Sequence, residues 1–247
     1  MKSFPVSFRV ICVGEELSGV FRPIFSMGFD GVLVQSTTMF PNPTPSEEDK
    51  MVILLTNGRS PLLESIAKSF YQAGVLTLVV STSLIETKET ICDAQTVTSM
   101  KSMPLIVKRL FAPLFSDQLT CYDYNDLCDT LHKTGRFKAI EASSQLNDHR
   151  IEDAITKISG MIGPDDFNHV EKVSFIIFIN RGLQPQLEIS EMQTLSEYVH
   201  KLPEEVDVLW SVNYDNNIST NEVRLEAILS GKNLELLCND LQKHISS

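Results

Sequence analysis

Four short apolar runs in the first 80 residues, with helical patterns between them, constrain the fold of this chain most. The runs are Phe8–Val13 (FRVICV), Gly31–Gln35 (GVLVQ), Met51–Thr56 (MVILLT) and Val75–Val80 (VLTLVV). A helical pattern follows the first run at about residues 16–27, and another follows the third at Pro61–Ala73. Strands that alternate with helices build a mostly parallel sheet with helices on its faces. The sequence therefore predicts a protein of the α/β class.

The second half of the chain has a different order of elements. The predicted elements are strand Phe137–Glu141, helix Asp148–Ile158, strand Val173–Ile179, helix Glu188–Lys201 and strands Val206–Val212 and Glu222–Leu229. A polar turn, YDNNISTN, separates the last two strands and predicts a hairpin. A hairpin makes part of a sheet antiparallel, so we expect an α+β sub-domain with a mixed sheet.

Four parts are expected along the chain. They are a first sub-domain in residues 1–100, a central helix with an acidic loop and helix in 101–134, the α+β sub-domain in 135–231 and a helical tail in 232–247. The central part contains predicted helices at Pro104–Phe115 and Tyr124–His132, whereas residues 81–100 have no clear pattern. The tail places four apolar residues on one helical face: Leu234, Leu237, Leu241 and Ile245.

Charge and hydropathy exclude several classes of protein. The formal net charge is -11, and the acidic excess lies in residues 116–247, because acidic and basic residues balance in 1–115. No cluster of Lys and Arg is present, so nucleic-acid binding is not expected. No segment reaches the roughly 18 apolar residues of a membrane span, and the N-terminus does not resemble a signal peptide. We therefore expect a cytoplasmic protein without a membrane span.

Cysteine and histidine residues predict no metal site. The five cysteines are scattered and contain no CxxC pair: Cys12, Cys92, Cys121, Cys128 and Cys238. Free thiols in a reducing compartment are the expected state, and Cys121 and Cys128 are predicted to be buried against the core. Trp210 lies in an alternating strand pattern and is also predicted to be a core residue.

The loop after the first strand has the position of a phosphate-binding loop but lacks its composition. Gly14 follows the strand directly, and Glu15, Glu16 and Leu17 come next. A nucleotide-binding turn continues with glycines, because backbone N–H groups must approach phosphates closely. Two carboxylates at a helix start satisfy the helix dipole and repel a phosphate. The loop therefore argues against nucleotide binding.

Several strings, in order, resemble the FtsZ/tubulin superfamily. They are FRVICVGEELSGVFRPIFSMGFDGVLVQSTT, KMVILLT, ESIAKSF, GVLTLVVST, TCYDYNDLCDTL, NDHRIEDAITKI, SFIIFINRGLQPQLEISEMQTLSEYV and VDVLWSVNYDNNISTNEVRLEAILSGK. The resemblance implies a Rossmann-like first sub-domain, a central helix and a second α+β sub-domain with a mixed sheet. It also implies GTP hydrolysis between subunits, in which an acidic loop of one subunit reaches the nucleotide of the next.

Departures from the family pattern weaken the expected GTP pocket. Gly14, Ser18 and Gly19 stand in the first, normally glycine-rich loop. Asn57, Gly58 and Arg59 stand where a glycine- and threonine-rich run is expected, and several residues are missing. These six residues are candidate remnants of phosphate loops. We expect the protein to have no cofactor, and the alternative is that it binds GTP and Mg²⁺. Arg59 is either an anion ligand beside a helix start or a solvated side chain.

The acidic loop of the family is retained in part. Asp123 and Asp126 match the two family aspartates and are the candidate catalytic residues, whereas Cys121 replaces the family asparagine. Carboxylates that position water are a common catalytic device. The structural alternative is an N-cap at Asp123 with Asp126 at the third helical position.

Three functions follow from these features. The first is an FtsZ-like protein of cell division that self-assembles, or that caps or modulates an FtsZ-type filament, with weak or no GTP binding. The second is an active FtsZ-like GTPase with an unusual pocket, in which residues 36–49 replace the lost contacts. The third is a small-molecule or anion-binding module that reuses the cleft at the carboxyl ends of the strands.

Overall fold

The computed structural model describes residues 7–145, 149–162 and 166–236, with the backbone alone for 166 and 167. The described residues form two compact units. Unit 1 contains the residues up to Phe111 together with Leu131–Phe137, and unit 2 contains Ala112–Thr130 and Lys138–Leu234.

Unit 1 is built on a parallel sheet. Its strands are β1 (Phe8–Val13), β2 (Val32–Ser36), β3 (Met51–Thr56), β4 (Leu76–Ser81), β5 (Ala94–Val97) and the start of β6 (Gly135–Ser144). They lie in the order β2-β1-β3-β4-β5-β6, and every neighbouring pair is parallel. All residues of β3 and β4 are buried, as expected for central strands of a covered parallel sheet. The predicted α/β class is confirmed.

Three helices begin in unit 1, namely α1 (Ser18–Phe25), α2 (Pro61–Gln72) and α3 (Met103–Phe115). The start of α2 follows directly from its sequence. The Ser60 side chain accepts a hydrogen bond from the Leu63 amide, and Pro61 occupies the first helical position. The face of α2 that carries Leu63, Ile66 and Phe70 packs on buried residues of the sheet.

The segment without a sequence pattern, residues 81–100, contains the short strand β5. Asp93 fixes its position, because one carboxylate oxygen accepts the Thr77 amide at 2.8 Å and the Asp93 carbonyl accepts the Gly135 amide at 2.8 Å. Only alternate residues of β5 are buried, and the strand includes the polar Gln95 and Thr96. A buried carboxylate rather than an apolar run places this strand, so its pattern was not visible in the sequence.

Unit 2 contains a mixed sheet. After Phe137 the strand β6 is followed by β7 (Lys172–Ile179), β8 (Asp207–Tyr214) and β9 (Val223–Ser230), and the order is β6-β9-β7-β8. The unit also holds α4 (Tyr124–Leu131), α5 (Arg150–Ile162) and α6 (Ile189–Val199). Helices α5 and α6 pack with one face of this sheet around Ile155, Phe175 and Leu195. The predicted mixed sheet is confirmed.

The predicted hairpin between the last two strands is wrong. Strand β7 lies between them, parallel to β8 and antiparallel to β9. Every residue of β9 is buried, whereas β8 exposes Asp207 and Trp210. The strand whose residues are all buried therefore lies inside the sheet, and the strand with exposed residues lies at its edge.

Three side-chain predictions need correction. Trp210 is half exposed rather than in the core, because it lies on the edge strand β8. Cys121 is exposed and Cys128 only partly buried, because Cys121 lies in the loop before α4. Of the tail, Leu234 is buried in unit 2, while the predicted apolar positions Leu237, Leu241 and Ile245 lie outside the described residues.

Two kinds of feature are absent from the described part of the chain. No helix there is long and apolar enough to cross a membrane. No three His, Cys, Asp or Glu side chains in these residues are grouped in a way that could hold a metal ion.

Candidate functional site

The first loop turns sharply at Gly14. This residue has φ 112°, a conformation that strongly favours glycine. Its amide donates a hydrogen bond to the Thr37 hydroxyl at 3.1 Å, and Thr37 in turn donates its own amide to the Cys12 carbonyl at 3.0 Å. The backbone N–H nearest the end of β1 is therefore used inside the protein rather than directed at a ligand.

The Glu16 carboxylate lies directly over Gly14. A Cβ atom built on Gly14 would be 2.6 Å from Glu16 Oε1 and 2.7 Å from Oε2. Glu15 and Glu16 begin a 3₁₀ turn, Glu15–Leu17, and both side chains are exposed. Close approach to a turn glycine is what a phosphate requires, and here an acidic side chain of the same loop makes that approach.

Ser18 and Gly19 form the start of α1 and are both exposed. A Cβ on Gly19 would meet no atom within 4 Å, so nothing in the structure requires a glycine at this position. The Ser18 amide donates to the Glu15 carbonyl, which closes the 3₁₀ turn. These two candidate remnants follow Gly14 closely in sequence, but they belong to helix α1 rather than to a loop.

The second candidate turn follows β3. Gly58 has φ 145°, and its carbonyl accepts the Thr56 hydroxyl at 2.7 Å. Thr82 donates its hydroxyl to the Asn57 carbonyl at 2.8 Å and lies 2.9 Å from Asn57 Oδ1. The turn is therefore held by hydroxyl groups from β3 and from the residues that follow β4.

Arg59 does not stand alone as an anion ligand. Its Nε donates to the Glu64 carboxylate at 2.5 Å, within the same loop and helix. The arginine side chain is still 58% exposed, so the pair is a surface ion pair. The Glu64 carboxylate offsets the positive charge of Arg59, which an anion would need for binding.

The acidic loop of unit 2 is an N-terminal capping box. Asp123 Oδ1 accepts the amides of Asn125 at 2.6 Å and Asp126 at 3.3 Å. Asp126 Oδ2 accepts the Asp123 amide at 2.7 Å, which completes the reciprocal pair. The local cap predicted for Asp123 and Asp126 is therefore present, and Asp123 remains exposed at the helix start.

A glutamine that the sequence did not single out supports this acidic turn. Gln118 Nε2 donates to the carbonyls of Pro113 at 2.9 Å and Tyr122 at 2.6 Å, and its Oε1 accepts the Tyr122 amide at 2.9 Å. Tyr122 is buried directly before Asp123, and burial raises the pKa of its phenol. In the sequence, the pair is visible only as a glutamine and a tyrosine four residues apart in a predicted loop.

The structure thus brings together the residues of each candidate turn but leaves each turn with its own internal partners. Thr37, Thr82 and Gln118 support these turns and were missed by sequence reasoning. The two threonines act over 23 and 25 residues, and the Gln118 contacts depend on the path of an irregular loop, so neither has a sequence signature. What the acidic turn can do chemically is present an ordered, exposed carboxylate to another molecule.

Solved structures with similar folds cover most of this chain. An empty FtsZ dimer from M. jannaschii is 13% identical, with 94% of this chain and 90% of that chain covered and a TM-score of 0.66. TubZ from Bacillus thuringiensis serovar israelensis, solved as GDP-form and GTPγS-form protofilaments, is 11% identical, with 92% and 86% covered and a TM-score of 0.61. No family model and no curated protein sequence matches this chain. The chain therefore has an FtsZ/tubulin-like fold, as its sequence resemblance predicted.

Proposed function

We propose that this chain is a tubulin-like assembly protein that contacts a filament subunit through its acidic turn and binds GTP weakly or not at all. The subunit is a second copy of this chain or an FtsZ-type protein. The observation that carries the proposal is the Glu16 carboxylate lying over Gly14. The similar structures, an FtsZ dimer and TubZ protofilaments, are themselves assemblies.

Electrostatics at the first loop supports the weak-binding part of the proposal. A triphosphate docked at Gly14 would have to displace the Glu16 carboxylate and would still face Glu15. Like charges at a helix start repel, and the Gly14 amide already has Thr37 as its acceptor. GTP would therefore lose both the space above Gly14 and the Gly14 amide as a donor.

The assembly part of the proposal depends on the acidic turn. Asp123 is exposed while its backbone is held by the capping box and by Gln118 through Tyr122. An ordered carboxylate binds a partner with little loss of conformational entropy. A head-to-tail contact is heterologous and extends into a filament unless one end is defective. A subunit with a sound acidic turn and a poor nucleotide loop would act as a cap or modulator of a filament.

Titration calorimetry with GTP and Mg²⁺ tests the nucleotide loop. We expect no binding with a dissociation constant in or below about the micromolar range. The variant Glu15→Gln/Glu16→Gln removes both charges at nearly constant volume and is expected to bind GTP more tightly than the wild type. Micromolar binding by the wild type would instead favour an active FtsZ-like GTPase.

Filament assays test the acidic turn. We expect the wild type, at stoichiometric amounts, to change the length or GTP turnover of a cognate FtsZ-type filament, or to form filaments itself. Asp123→Asn keeps a good N-cap but removes the charge, so it is expected to fold normally and lose the effect. Asp129→Asn makes the same charge change on an exposed residue of α4 and serves as the control. Equal effects of both variants would contradict a specific role for Asp123.

A melting-temperature screen, together with the filament assays, tests the third function, a small-molecule or anion-binding module. Phosphate or small-molecule libraries that raise the melting temperature, together with no effect on any filament, would favour it. The pairing of Arg59 with Glu64 does not favour an anion site at the second turn.

A further inference from the structure

Among the described residues, the edge strand β8 is covered along only one half of its outer side. Residues 117–120 run beside its second half: the Leu119 amide donates to the Val212 carbonyl at 2.8 Å, and the Tyr214 amide donates to the Asp117 carbonyl at 2.7 Å. The Val212 amide donates to the Thr120 hydroxyl at 2.8 Å. The chain then turns inward, because Tyr122 is buried.

The first half of β8 has an open edge. Along a strand, alternate residues direct their N–H and C=O groups to the same side. Val212 and Tyr214 face the outer side, so the backbone groups of Val208 and Trp210 face it too. The Asp207 amide points the other way, to the Glu171 carbonyl at 3.0 Å. Among the described residues, no backbone hydrogen bond from another segment reaches the outer groups of Val208 and Trp210.

Large apolar side chains border this open edge. Trp210 is 50% exposed, and Leu119, at the point where the covering segment pairs with Val212, is 60% exposed. Tryptophan is strongly enriched among residues that dominate binding energy at interfaces. An unpaired strand edge with exposed apolar residues is the feature to which an extended peptide adds as a further strand.

Charge identifies the kind of peptide. Glu204, Glu205 and Asp207 are all exposed at the beginning of β8. An added strand that passes this end would meet three carboxylates, so basic residues there would be attracted and acidic residues repelled. Alternate residues of the peptide would be apolar where they meet Trp210 and Leu119.

A second copy of this chain fits the edge less well than a foreign peptide. Residues 117–120 already cover β8 from Val212 onward, so pairing between two copies of β8 would be limited to the few residues before Val212. Each copy has a net charge of -11, and pairing would bring two acidic strand beginnings into one small contact. Both considerations favour a basic partner segment.

We propose that the open edge of β8 at Val208 and Trp210 binds an extended peptide of a partner protein, with alternating apolar residues and a basic end that lies beside Glu204, Glu205 and Asp207. The residues that carry this proposal are different from Gly14, Glu16 and Asp123, so the proposal does not depend on the proposed function.

Fluorescence of the only tryptophan, Trp210, provides a direct measurement. The probes are synthetic peptides of about eight residues, the length of a typical strand or slightly more, that alternate valine or tyrosine with threonine. In one set, each peptide carries two lysines at one of its ends, the N-terminal or the C-terminal end. In the matched set, two glutamates take the place of the lysines. We expect the lysine set to shift the Trp210 emission to shorter wavelength and to bind at least about tenfold more tightly than the glutamate set. No shift with any peptide, or equal binding of both sets, would overturn the proposal.

Two changes test the backbone pairing and the charge separately. Methylation of alternate peptide amides removes strand hydrogen bonds without changing the protein, and is expected to weaken binding at least about tenfold. Glu204→Lys/Glu205→Lys is expected to reverse the preference between the two sets, while Glu47→Lys/Glu48→Lys, the same charge change on exposed residues of unit 1, leaves it unchanged. Unchanged binding of methylated peptides would exclude an added strand.

Sedimentation of the protein without peptide separates the two occupants. We expect that the protein alone does not form a dimer through the β8 edge, and therefore that no dimer shifts the Trp210 emission. Such a dimer, abolished by Val208→Pro, would make a second copy the occupant and overturn the assignment to a foreign peptide. Proline at this position removes an outward N–H and no inward one.

Discussion

At the scale of single residues, Gly14 decides the geometry of the first loop. Its backbone conformation, φ 112° and ψ 156°, is one that residues with a Cβ adopt only at a cost. Glu16 occupies the space above it, and the Thr37 hydroxyl accepts its amide. The sequence indicated the acidic composition of this loop, but the position of the carboxylate over the glycine depends on the turn itself.

Gly14→Ala is expected to lower the free energy of unfolding by about 1–2 kcal/mol, because the backbone conformation is strained for alanine. Urea denaturation of both proteins measures the difference. Gly19→Ala is the control: it lies in α1 with open space around it, so alanine is expected to stabilise by about 0.5–1 kcal/mol. Full recovery in Gly14→Ala/Glu16→Ala would show that the side-chain contact, not the backbone, causes the loss.

Asp215 is a second residue whose contribution to stability can be measured. Burial alone raises the pKa of Asp215, but hydrogen bonds from Asn217 and Arg224 outweigh it and lower the pKa below the ordinary value of 3.8. Arg224 is buried, and its Nη1 donates to Asp215 Oδ2 at 2.9 Å. Removal of the carboxylate leaves Arg224 with less compensation for its buried charge.

Asp215→Asn is expected to cost about 1.5–3 kcal/mol of unfolding free energy near neutral pH, as for a hydrogen bond to a charged group. A lowered pKa stabilises the folded protein only while the carboxyl group is ionised. The wild-type advantage is therefore present above pH 3.8 and is lost as the pH falls below that value. Urea denaturation at several pH values, with the exposed Asp30→Asn as a control, measures this. An equal loss at all pH values would contradict the electrostatic explanation.

At the scale of elements, helix α2 shows how local sequence determines a boundary. Ser60, Pro61 and the apolar spacing of Leu63, Ile66 and Phe70 are all local signals, and the helix begins where they predict. Helix α4 begins at a local signal of the same kind, the capping box of Asp123 and Asp126.

Ser60→Ala is expected to destabilise the protein by about 1 kcal/mol, because the Leu63 amide loses its acceptor at the start of the helix. Chemical denaturation gives the value. Ser65→Ala, on the exposed face of the same helix, is the matched control and is expected to be neutral or slightly stabilising. The capping argument fails if the two variants are equally stable.

At the scale of the whole molecule, a buried ion pair ties distant parts of unit 2 together. Arg150 at the start of α5 donates to both carboxylate oxygens of Glu191 in α6, at 3.1 and 2.8 Å. It also donates to the carbonyls of Pro185 and Gln186 at 3.0 and 3.3 Å. Both charged side chains are buried, so each depends on the other for compensation.

Arg150→Met is expected to lower the unfolding free energy by about 3–5 kcal/mol, since it leaves the Glu191 carboxylate buried without its partner. Arg150→Met/Glu191→Leu replaces both charges and is expected to recover most of the loss. Denaturation, with hydrogen exchange of α5 and α6 as a local readout, distinguishes the two. A double variant no more stable than the single one would show that the pair itself, rather than the isolated charge, is needed.

The sequence by itself determined the class of the fold and most of its elements. Local signals sufficed for this: apolar runs for β1, β3 and β7, cap residues for α2 and α4, and an ordered series of strings for the FtsZ/tubulin-like arrangement. Only the tertiary structure decided that β9 lies beside β7 rather than β8, that Asp93 places β5, and that Glu16 covers Gly14. The reason is physical: local signals act between neighbours in sequence, whereas strand order, buried polar contacts and the exposure of Trp210 depend on competition for burial among segments far apart in the chain.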